Sequence, residues 1–410
     1  MLFEADRHEA PGHARWDPDA ARRAIEAIAR DAEDRFSFEE LWPAHPLDHE
    51  GSPPEDAYTG LFFGAAGVIA ALDDLARRGL ARSTTRFVEV LAALEQRNAR
   101  EVGADGWGGE SYLMGRSGIL LTRYRVAPSR EIADRLAESI AANTHHPTRE
   151  LMWGAPGTMH AALTMHDWTG DERWAELYRA GARSLAVSLE PRGGCELWTQ
   201  KIWDLRLVML GAGHGYAGAA GALIRGFDLL QPSERAAWIE RIVRATIATA
   251  QRERGLANWL PEAGGAGRVK WLVQWCHGAP GIVTSLAALR DARLDEVLVA
   301  AGELVWTAGP LTKGASLCHG TAGNGYAFLK LFRRTGDERW LDRARAFAMH
   351  AIAQSAAHER RYGVRRYSLY TGDLGLAIYL ARCLDGSDAW PGLDPEPSPA
   401  AGAALQSEES

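Results

Sequence analysis

Apolar runs that each begin at a pair of glycines recur along the chain and predict a repeat of helices. Seven stretches carry Gly-x-x-Gly followed by an apolar run, and their first glycines are Gly64, Gly115, Gly154, Gly215, Gly278, Gly320 and Gly372. The copies lie about forty to about sixty residues apart, a spacing typical of repeated helix pairs. The hexapeptide TGDERW occurs at 169–174 and again at 335–340, in the same register after its glycine pair. We number these seven repeat units one to seven.

Each unit predicts two helices of different character. The first is apolar and rich in small residues, as in GVIAALDDLARR, after which Gly79 is a suitable C-terminal cap. The second is amphipathic, as in DERWLDRARAFAMHAIAQS, which places Trp340, Ala344 and Phe347 on one face. Alternating β-branched runs are scarce, so we expect an all-α protein built of seven helical hairpins.

The arrangement of the hairpins follows from which helices need burial. The apolar helices should lie inside and the amphipathic helices outside, in an open solenoid or a closed ring. Because neither end of the repeat has an evident polar capping unit, we predict a closed toroid at 58–390, with all glycine turns at one end facing a cavity. We expect residues 1–57 to form a helical extension that packs on the toroid, and residues 391–410, rich in Pro, Ala, Ser and Glu, to be a disordered tail.

Chemically distinctive residues occupy equivalent positions in three neighbouring units. The residue before the first glycine is His214, His277 and His319 in units four to six, and Cys276 and Cys318 precede the last two histidines. In a ring, these positions face one cavity, and thiolate and imidazole are zinc ligands. The alternative is two buried cysteines with satisfied histidines. Spacing alone separates neither His277 from His319 nor a closed structural site from an open catalytic one.

Composition and charge exclude several classes of function. The net charge is −7 and no basic block is present, which argues against a nucleic-acid groove or a membrane-binding patch. No run of about twenty apolar residues predicts a membrane span. The N-terminus lacks the pattern of a signal peptide and the chain has 4 cysteines. We therefore expect a cytoplasmic protein with free thiols or metal ligands.

Several motifs resemble the lanthionine synthetase C-like family. The resemblance extends over roughly 58–382 and is carried by QWCHGAPGI at 274–282, LCHGTAGNGYAFL at 317–329 and YSLYTGDLG at 367–375. The motif YLMGRSG is more similar to the stand-alone, glutathione-binding branch than to the bacterial peptide cyclases. The resemblance implies an α/α toroid with seven inner and seven outer helices. It also implies zinc held by Cys276, Cys318 and His319 with an open fourth position, and a proton-handling histidine at His214.

The same resemblance implies cationic contacts to substrate. Lys313 stands where glutathione-binding relatives carry a lysine that contacts the tripeptide, and Arg365 and Arg366 precede another contacting segment. Arg116, in the turn of unit two, and His277 are further candidates for lining the cavity. For Lys313, Arg365 and Arg366, the alternative is a solvated side chain without a ligand.

Two positions depart from the family pattern. The peptide cyclases carry an aspartate four residues before the first glycine of unit two, where this chain has Ser111 with Glu110 beside it. Glutathione-binding relatives usually have glutamate at the position of Thr371 in unit seven.

Together these features predict a zinc enzyme that activates a thiol. The thiol, glutathione or a peptide cysteine, would add to dehydroalanine or dehydrobutyrine in a peptide and form a thioether. The stretch before the toroid is too short for a dehydratase domain, so a separate dehydratase or kinase would supply the dehydrated peptide. The alternative is a non-catalytic sensor or scaffold that binds zinc and glutathione or a peptide. Toroidal glycosidases need a carboxylate pair, which no motif provides, and toroidal prenyltransferases lack this sevenfold motif.

Overall fold

The computed structural model describes residues 1–12, 14–49, 57–82, 87–102, 107–264 and 270–399. Within these ranges the chain is mainly helical. The α-helices are α1 (Pro18–Asp34), α2 (Ala65–Arg77), α3 (Phe87–Glu101), α4 (Arg116–Val126), α5 (Arg130–Asn143), α6 (Ala155–Thr169), α7 (Glu172–Ala186), α8 (Tyr216–Arg225), α9 (Pro232–Thr249), α10 (Ala279–Leu286), α11 (Asp295–Ala308), α12 (Thr321–Thr335), α13 (Glu338–Tyr362) and α14 (Asp373–Asp385). The even-numbered helices form the inner ring and the odd-numbered helices the outer ring, which confirms the predicted α/α toroid.

The paired glycines let each inner helix begin tightly against the turn that precedes it. The first glycine of every pair is the N-cap residue of an inner helix. A Cβ atom on the second glycine would lie 2.1 Å from the Leu61 carbonyl oxygen at Gly67, and 2.0 Å from the Trp275 carbonyl oxygen at Gly281. No side chain fits at such distances, so the second glycine is a steric requirement of the turn.

Backbone hydrogen bonds link the turns of neighbouring units and close the ring. In units one and four to seven, the residue two before the first glycine donates its N–H to the carbonyl of the equivalent residue in the adjacent unit. The bonds are Gly213 to Cys276 at 3.3 Å, Cys276 to Cys318 at 3.1 Å, Cys318 to Tyr370 at 2.7 Å, Tyr370 to Phe62 at 3.2 Å and Phe62 to Leu113 at 2.8 Å. The bond from Tyr370 to Phe62 joins unit seven to unit one, so the repeat forms a toroid and not an open solenoid.

The outer helix of unit seven comes from the other end of the chain. Helix α1 packs mainly against α14 and secondarily against α13. The Tyr367 hydroxyl donates to Asp31 at 2.6 Å and fastens α1 to the turn before α14. All seven predicted helix pairs are present, with one difference in how they are connected. Six pairs are local hairpins, while the seventh is made by two segments from opposite ends of the sequence.

The C-terminal segment, residues 390–396, packs inside the ring. Trp390 is 2% exposed, and Asp394 accepts a hydrogen bond from Lys330 of α12 at 2.6 Å. Aromatic stacking and a buried ion pair thus hold the segment, although its Pro-rich composition predicts disorder. The prediction of a disordered tail is wrong for 391–396, and residues 400–410 lie outside the described part of the chain.

Three short antiparallel hairpins lie in the long links between helices, and the sequence did not predict them. They are β1 (Leu189–Arg192) with β2 (Cys195–Trp198), β3 (Gln200–Ile202) with β4 (Leu205–Leu207), and β5 (Gln251–Glu253) with β6 (Leu256–Asn258). Strands of three or four residues are too short to show a clear alternating pattern. Among the described helices, none is both long and apolar enough to cross a lipid bilayer.

Candidate metal and acid–base site

Three potential metal ligands converge at the turns before α10 and α12. The sulfur atoms of Cys276 and Cys318 and a ring nitrogen of His319 all lie within 4.8 Å of one another. The cysteines are 8% and 5% exposed, respectively. A zinc ion with bonds of about 2.0–2.3 Å holds its ligand atoms roughly 3.3–3.8 Å apart, so an ion fits among these donors. The three residues can therefore hold a metal and leave one coordination position open.

The surroundings of Cys276 favour its thiolate form. A hydrogen bond from the Cys318 thiol holds the pKa of Cys276 well below its usual value, burial opposes this shift, and His319 reinforces it. The side-chain amide of Gln274 also donates to the Cys276 sulfur at 3.0 Å. The thiolate is the form of cysteine that binds soft metals, so this local chemistry suits a metal ligand.

A histidine–carboxylate pair lies beside the turns of units five and six. We call these two turns the metal-binding turns because they carry the candidate ligands. Nδ1 of His214 is 3.1 Å from Oε2 of Glu150, which is 0% exposed. Glu150 also accepts the backbone N–H groups of Met152 at 2.9 Å and Trp153 at 2.8 Å. Burial disfavours the charged form of His214, but the hydrogen bond and charge of Glu150 outweigh it and raise the pKa of His214. The His214 side chain stays 30% exposed, so the pair can exchange a proton with a ligand.

No motif in the sequence indicated Glu150 as a functional residue. The family pattern places the acid of the cyclases at the position of Ser111, four residues before the first glycine of unit two. The Ser111 hydroxyl is buried and donates to the Gly108 carbonyl at 2.6 Å. Glu150 has the same offset from Gly154 in unit three. Applying the same four-residue offset to every unit would have identified Glu150. Unit three thus has a carboxylate at the position where unit two has Ser111.

His277 faces the acid–base pair and is not part of the metal-binding group. Its ring centroid is 6.3 Å from that of His214, with an angle of 29° between the rings. Burial lowers the pKa of His277, and its Nδ1 atom is buried with no hydrogen-bond partner among the described residues. The structure therefore separates His277 from His319, which the spacing of the sequence could not do.

Two of the predicted substrate contacts share a pocket near the metal-binding turns. Lys313 and Arg366 line it together with His45, His358 and Thr371. Partial burial and the guanidinium of Arg7 lower the pKa of Lys313, while Cys276 and Cys318 oppose this shift. These charges place Lys313 close to the candidate metal ligands. The N-terminal segment also contributes a cation here, because Arg7 donates to Gln274 at 3.4 Å, and no sequence motif indicated it.

The predicted arginines are engaged in ion pairs within the protein. Nε of Arg366 donates to Asp48 at 2.8 Å, and the same carboxylate accepts the Thr371 hydroxyl at 3.0 Å. Asp48 thus provides a carboxylate beside Thr371, the position where glutathione-binding relatives usually have glutamate. The other two arginines pair outside the Lys313 pocket. Arg365 pairs with Glu359 at 2.5 Å, and Arg116 pairs with Glu110 at 2.9 Å.

Comparisons with known proteins agree with the fold and with the motifs. A family model described as lanthionine synthetase C-like protein matches residues 12–394. The glutathione S-transferase LANCL1 of Danio rerio is 33% identical over 255 residues, which are 58% of this chain and 60% of that protein. The LanC-like protein GCL1 of Arabidopsis thaliana is 48% identical over 84 residues, 19% of each chain. The alignments thus span less than two thirds of these relatives.

The solved structure of nisin cyclase shares the toroid. Nisin cyclase superimposes with a TM-score of 0.59 at 15% sequence identity, covering 88% of this chain and 93% of that chain. At this identity the likeness is one of fold. The family model, by contrast, matches nearly the whole sequence. The chain therefore belongs to the lanthionine synthetase C-like family.

Proposed function

We propose that this protein binds zinc through Cys276, Cys318 and His319 and catalyses the addition of a thiol to a dehydroamino acid. The product is a thioether, formed from glutathione or a peptide cysteine and from dehydroalanine or dehydrobutyrine in a peptide. The observation that carries the proposal is the presence of two different groups on neighbouring turns of one ring. A three-donor metal group lies on the turns of units five and six, and a histidine–carboxylate pair with a buried carboxylate lies on those of units three and four.

The donor set suits zinc and the chemistry of thiols. Two sulfurs and one imidazole select a soft or borderline metal, and three protein ligands are typical of catalytic zinc sites. When bound, zinc lowers the pKa of a coordinated thiol and so supplies a nucleophilic sulfur at neutral pH. The buried turns around Cys276 and Cys318 keep the two protein ligands in place for this task.

His214 supplies the proton that the addition requires. As the sulfur bonds to the β-carbon of the dehydroamino acid, the π electrons move to the α-carbon, which must then take up a proton. Glu150 holds Nδ1 of His214, so Nε2 is the nitrogen available to the substrate. The raised pKa of His214 keeps the ring protonated to higher pH, and the proton released from the thiol restores the balance.

The unpaired cation beside the metal-binding turns favours glutathione as the thiol. Glutathione carries two carboxylates, and Lys313 has no ion pair with the described residues, so its ammonium group is available to one of them. The name of the zebrafish relative, a glutathione S-transferase, supports the same choice. The four cysteines are free, which fits a reducing cytoplasm rich in glutathione. The dehydrated peptide would come from a separate dehydratase or kinase.

Zinc content and product formation test the proposal together. We expect about one zinc per chain and a glutathione adduct of a dehydroalanine peptide by mass spectrometry. Cys276→Ala, Cys318→Ala and His319→Ala should lose both. Cys195→Ala, which removes a buried cysteine outside the site, should keep both.

Each outcome separates the hypotheses. Absence of bound zinc from wild-type protein that has been supplied with zinc, or retention of zinc in both cysteine variants, would contradict the metal site. Zinc and glutathione binding without any adduct would instead favour the sensor or scaffold. His277→Ala should retain zinc, because its ring is outside the donor group.

A further inference from the structure

The C-terminal segment contacts the metal-binding turn of unit five. The Trp390 ring stacks on Trp275 with a centroid distance of 4.8 Å and an angle of 16°. Trp275 is itself buried and directly precedes Cys276. A second aromatic ring, that of Tyr326 on α12, lies 4.7 Å from Trp390. The indole of Trp390 therefore supports the residue next to one candidate metal ligand.

The same indole reaches the turn of unit six through Tyr370. Nε1 of Trp390 donates to the Tyr370 hydroxyl at 3.3 Å. The backbone carbonyl of Tyr370 accepts the N–H of Cys318 at 2.7 Å, and the carbonyl of Cys318 accepts the N–H of Cys276 at 3.1 Å. Trp390 is thus connected to both candidate cysteine ligands, to one by stacking and to the other through a hydrogen-bonded residue.

Buried polar contacts fix the position of Trp390. Its backbone N–H donates to Asp394 at 2.7 Å, and Asp394 is paired with the buried Lys330. The Tyr370 hydroxyl donates to the carbonyl of Pro391 at 3.0 Å. Breaking a buried ion pair leaves an uncompensated charge, which is strongly unfavourable. The segment is therefore held in one conformation beneath the metal-binding turns.

We propose that Trp390 is a positioning residue for the metal centre. This inference rests on the proposed zinc site. A tetrahedral ion requires its ligands within a few tenths of an ångström, and residues behind the ligands provide that precision. Trp390 fills the space behind Trp275 and Tyr370, so that neither turn can relax inward. The C-terminal segment, residues 390–396, is then part of the metal site and not a mere appendage.

The test measures zinc affinity by competition with a chromophoric chelator. We expect Trp390→Ala to bind zinc about 10- to 100-fold more weakly, as is typical when a residue behind a ligand is lost. Trp390→Phe retains an aromatic face against Trp275 and should stay within about threefold of wild type. The matched control is Trp340→Ala, which removes another buried tryptophan, stacked on Phe328 at 6.0 Å and remote from the ligands. Its zinc affinity should not change.

A second readout does not depend on the metal. In zinc-free protein, the rate at which Cys276 and Cys318 react with a thiol reagent reports how tightly their turns are held. That rate should rise in Trp390→Ala and not in Trp340→Ala. Tyr370→Phe removes only the hydroxyl that connects Trp390 and Pro391, and should lower zinc affinity by about two- to tenfold. This milder variant decides the question if Trp390→Ala does not fold.

Wild-type zinc affinity and thiol rate in folded Trp390→Ala, or in Tyr370→Phe when the alanine variant is unfolded, overturn the inference. An equal loss in Trp340→Ala also overturns it, because the effect would then be general destabilisation. Wild-type protein that takes up no zinc overturns the proposed function instead. The thiol rates of the zinc-free variants still decide whether Trp390 positions the two cysteines.

Discussion

The turns of units three, five and six share the Gly-x-x-Gly motif, but they position functional side chains in different ways. In units five and six, the N–H groups of Cys276 and Cys318 join the circle of hydrogen bonds, and the side chains are candidate metal donors. In unit three, the N–H of Met152 donates to the Glu150 carboxylate instead. Units five and six thus carry the candidate ligands on turns that keep the regular backbone hydrogen bond. Unit three lacks this hydrogen bond and buries a carboxylate beside His214 instead.

The largest effect should follow from removing a metal donor. Cys318→Ala leaves the circle of backbone hydrogen bonds possible but removes one of two sulfurs. Because changes behind a ligand already cost about 10- to 100-fold in affinity, we expect zinc affinity and thiol addition to fall by more than about 100-fold. Zinc content and adduct formation measure this. Cys383→Ala, a buried cysteine on α14, should retain both, and equal losses in that control would mean that any buried cysteine matters.

The next effect should come from the interrupted turn. Glu150→Gln keeps the shape of the side chain but removes the charge that raises the pKa of His214. The protonated ring is the acid, so the loss of activity at alkaline pH should begin at lower pH, and the maximal rate should fall about 10- to 100-fold. The measurement is adduct formation against pH, together with zinc content, which should stay at the wild-type level.

Ser111→Ala is the matched control, since it changes the position where a cyclase aspartate was expected. Its pH profile should follow the wild type. A Glu150→Gln protein with an unchanged alkaline limb would show that Glu150 is only a structural acid, and that another group protonates the α-carbon.

The contrast between these turns explains what could be predicted from the sequence. Cys276, Cys318 and the histidines that follow them are found from their equivalent positions in the repeat, which do not separate His277 from His319. The inner helices are predictable for the same reason, since each glycine pair acts locally on the helix that follows. The four-residue offset from Gly154 identifies Glu150 as a candidate, but it does not identify the residue that the carboxylate contacts. Only the folded ring shows that its carboxylate meets His214, which lies 64 residues away in the sequence.

Features that join distant parts of the chain escaped prediction. Tyr367 and Asp31, 336 residues apart, fasten α1 as the outer helix of unit seven. The hydrogen bond from Tyr112 to the Gly392 carbonyl spans 280 residues and helps to hold the C-terminal segment. Local composition predicts an extension and a disordered tail for these ends, because the partners that order them lie in other units.

A smaller effect should come from His160, whose pKa is lowered, in contrast to that of His214, whose pKa is raised. His160, on α6, is buried near the C-terminal segment, and burial together with Arg225 lowers its pKa to about 3, against the opposing effect of Asp394. The unfolded chain binds a proton at this residue near pH 6.5 whereas the folded chain does not, so stability is lost as the pH falls below 6.5. We expect a loss of about 2 kcal/mol at pH 5 relative to pH 7 from this group.

Urea unfolding of zinc-free wild type and of His160→Gln, at pH 7 and at pH 5, measures this loss. The variant should lack this part of the pH dependence, whatever its stability at pH 7. An identical pH dependence in both proteins would mean that His160 is protonated in the folded state.

The smallest effect should distinguish an unpaired cation from a paired one among the predicted substrate contacts. Lys313 lines the pocket beside the metal-binding turns and has no ion pair with the described residues, whereas Arg116 is paired with Glu110. An unpaired ammonium group gives up little to bind a carboxylate, so Lys313→Ala should weaken glutathione binding by about tenfold, which corresponds to roughly 1.4 kcal/mol. Arg116→Ala breaks a partly exposed pair and should change binding by less than about twofold. Isothermal titration of glutathione into both variants measures the difference in affinity. A larger loss of affinity in Arg116→Ala would indicate that glutathione binds near unit two and not near unit six.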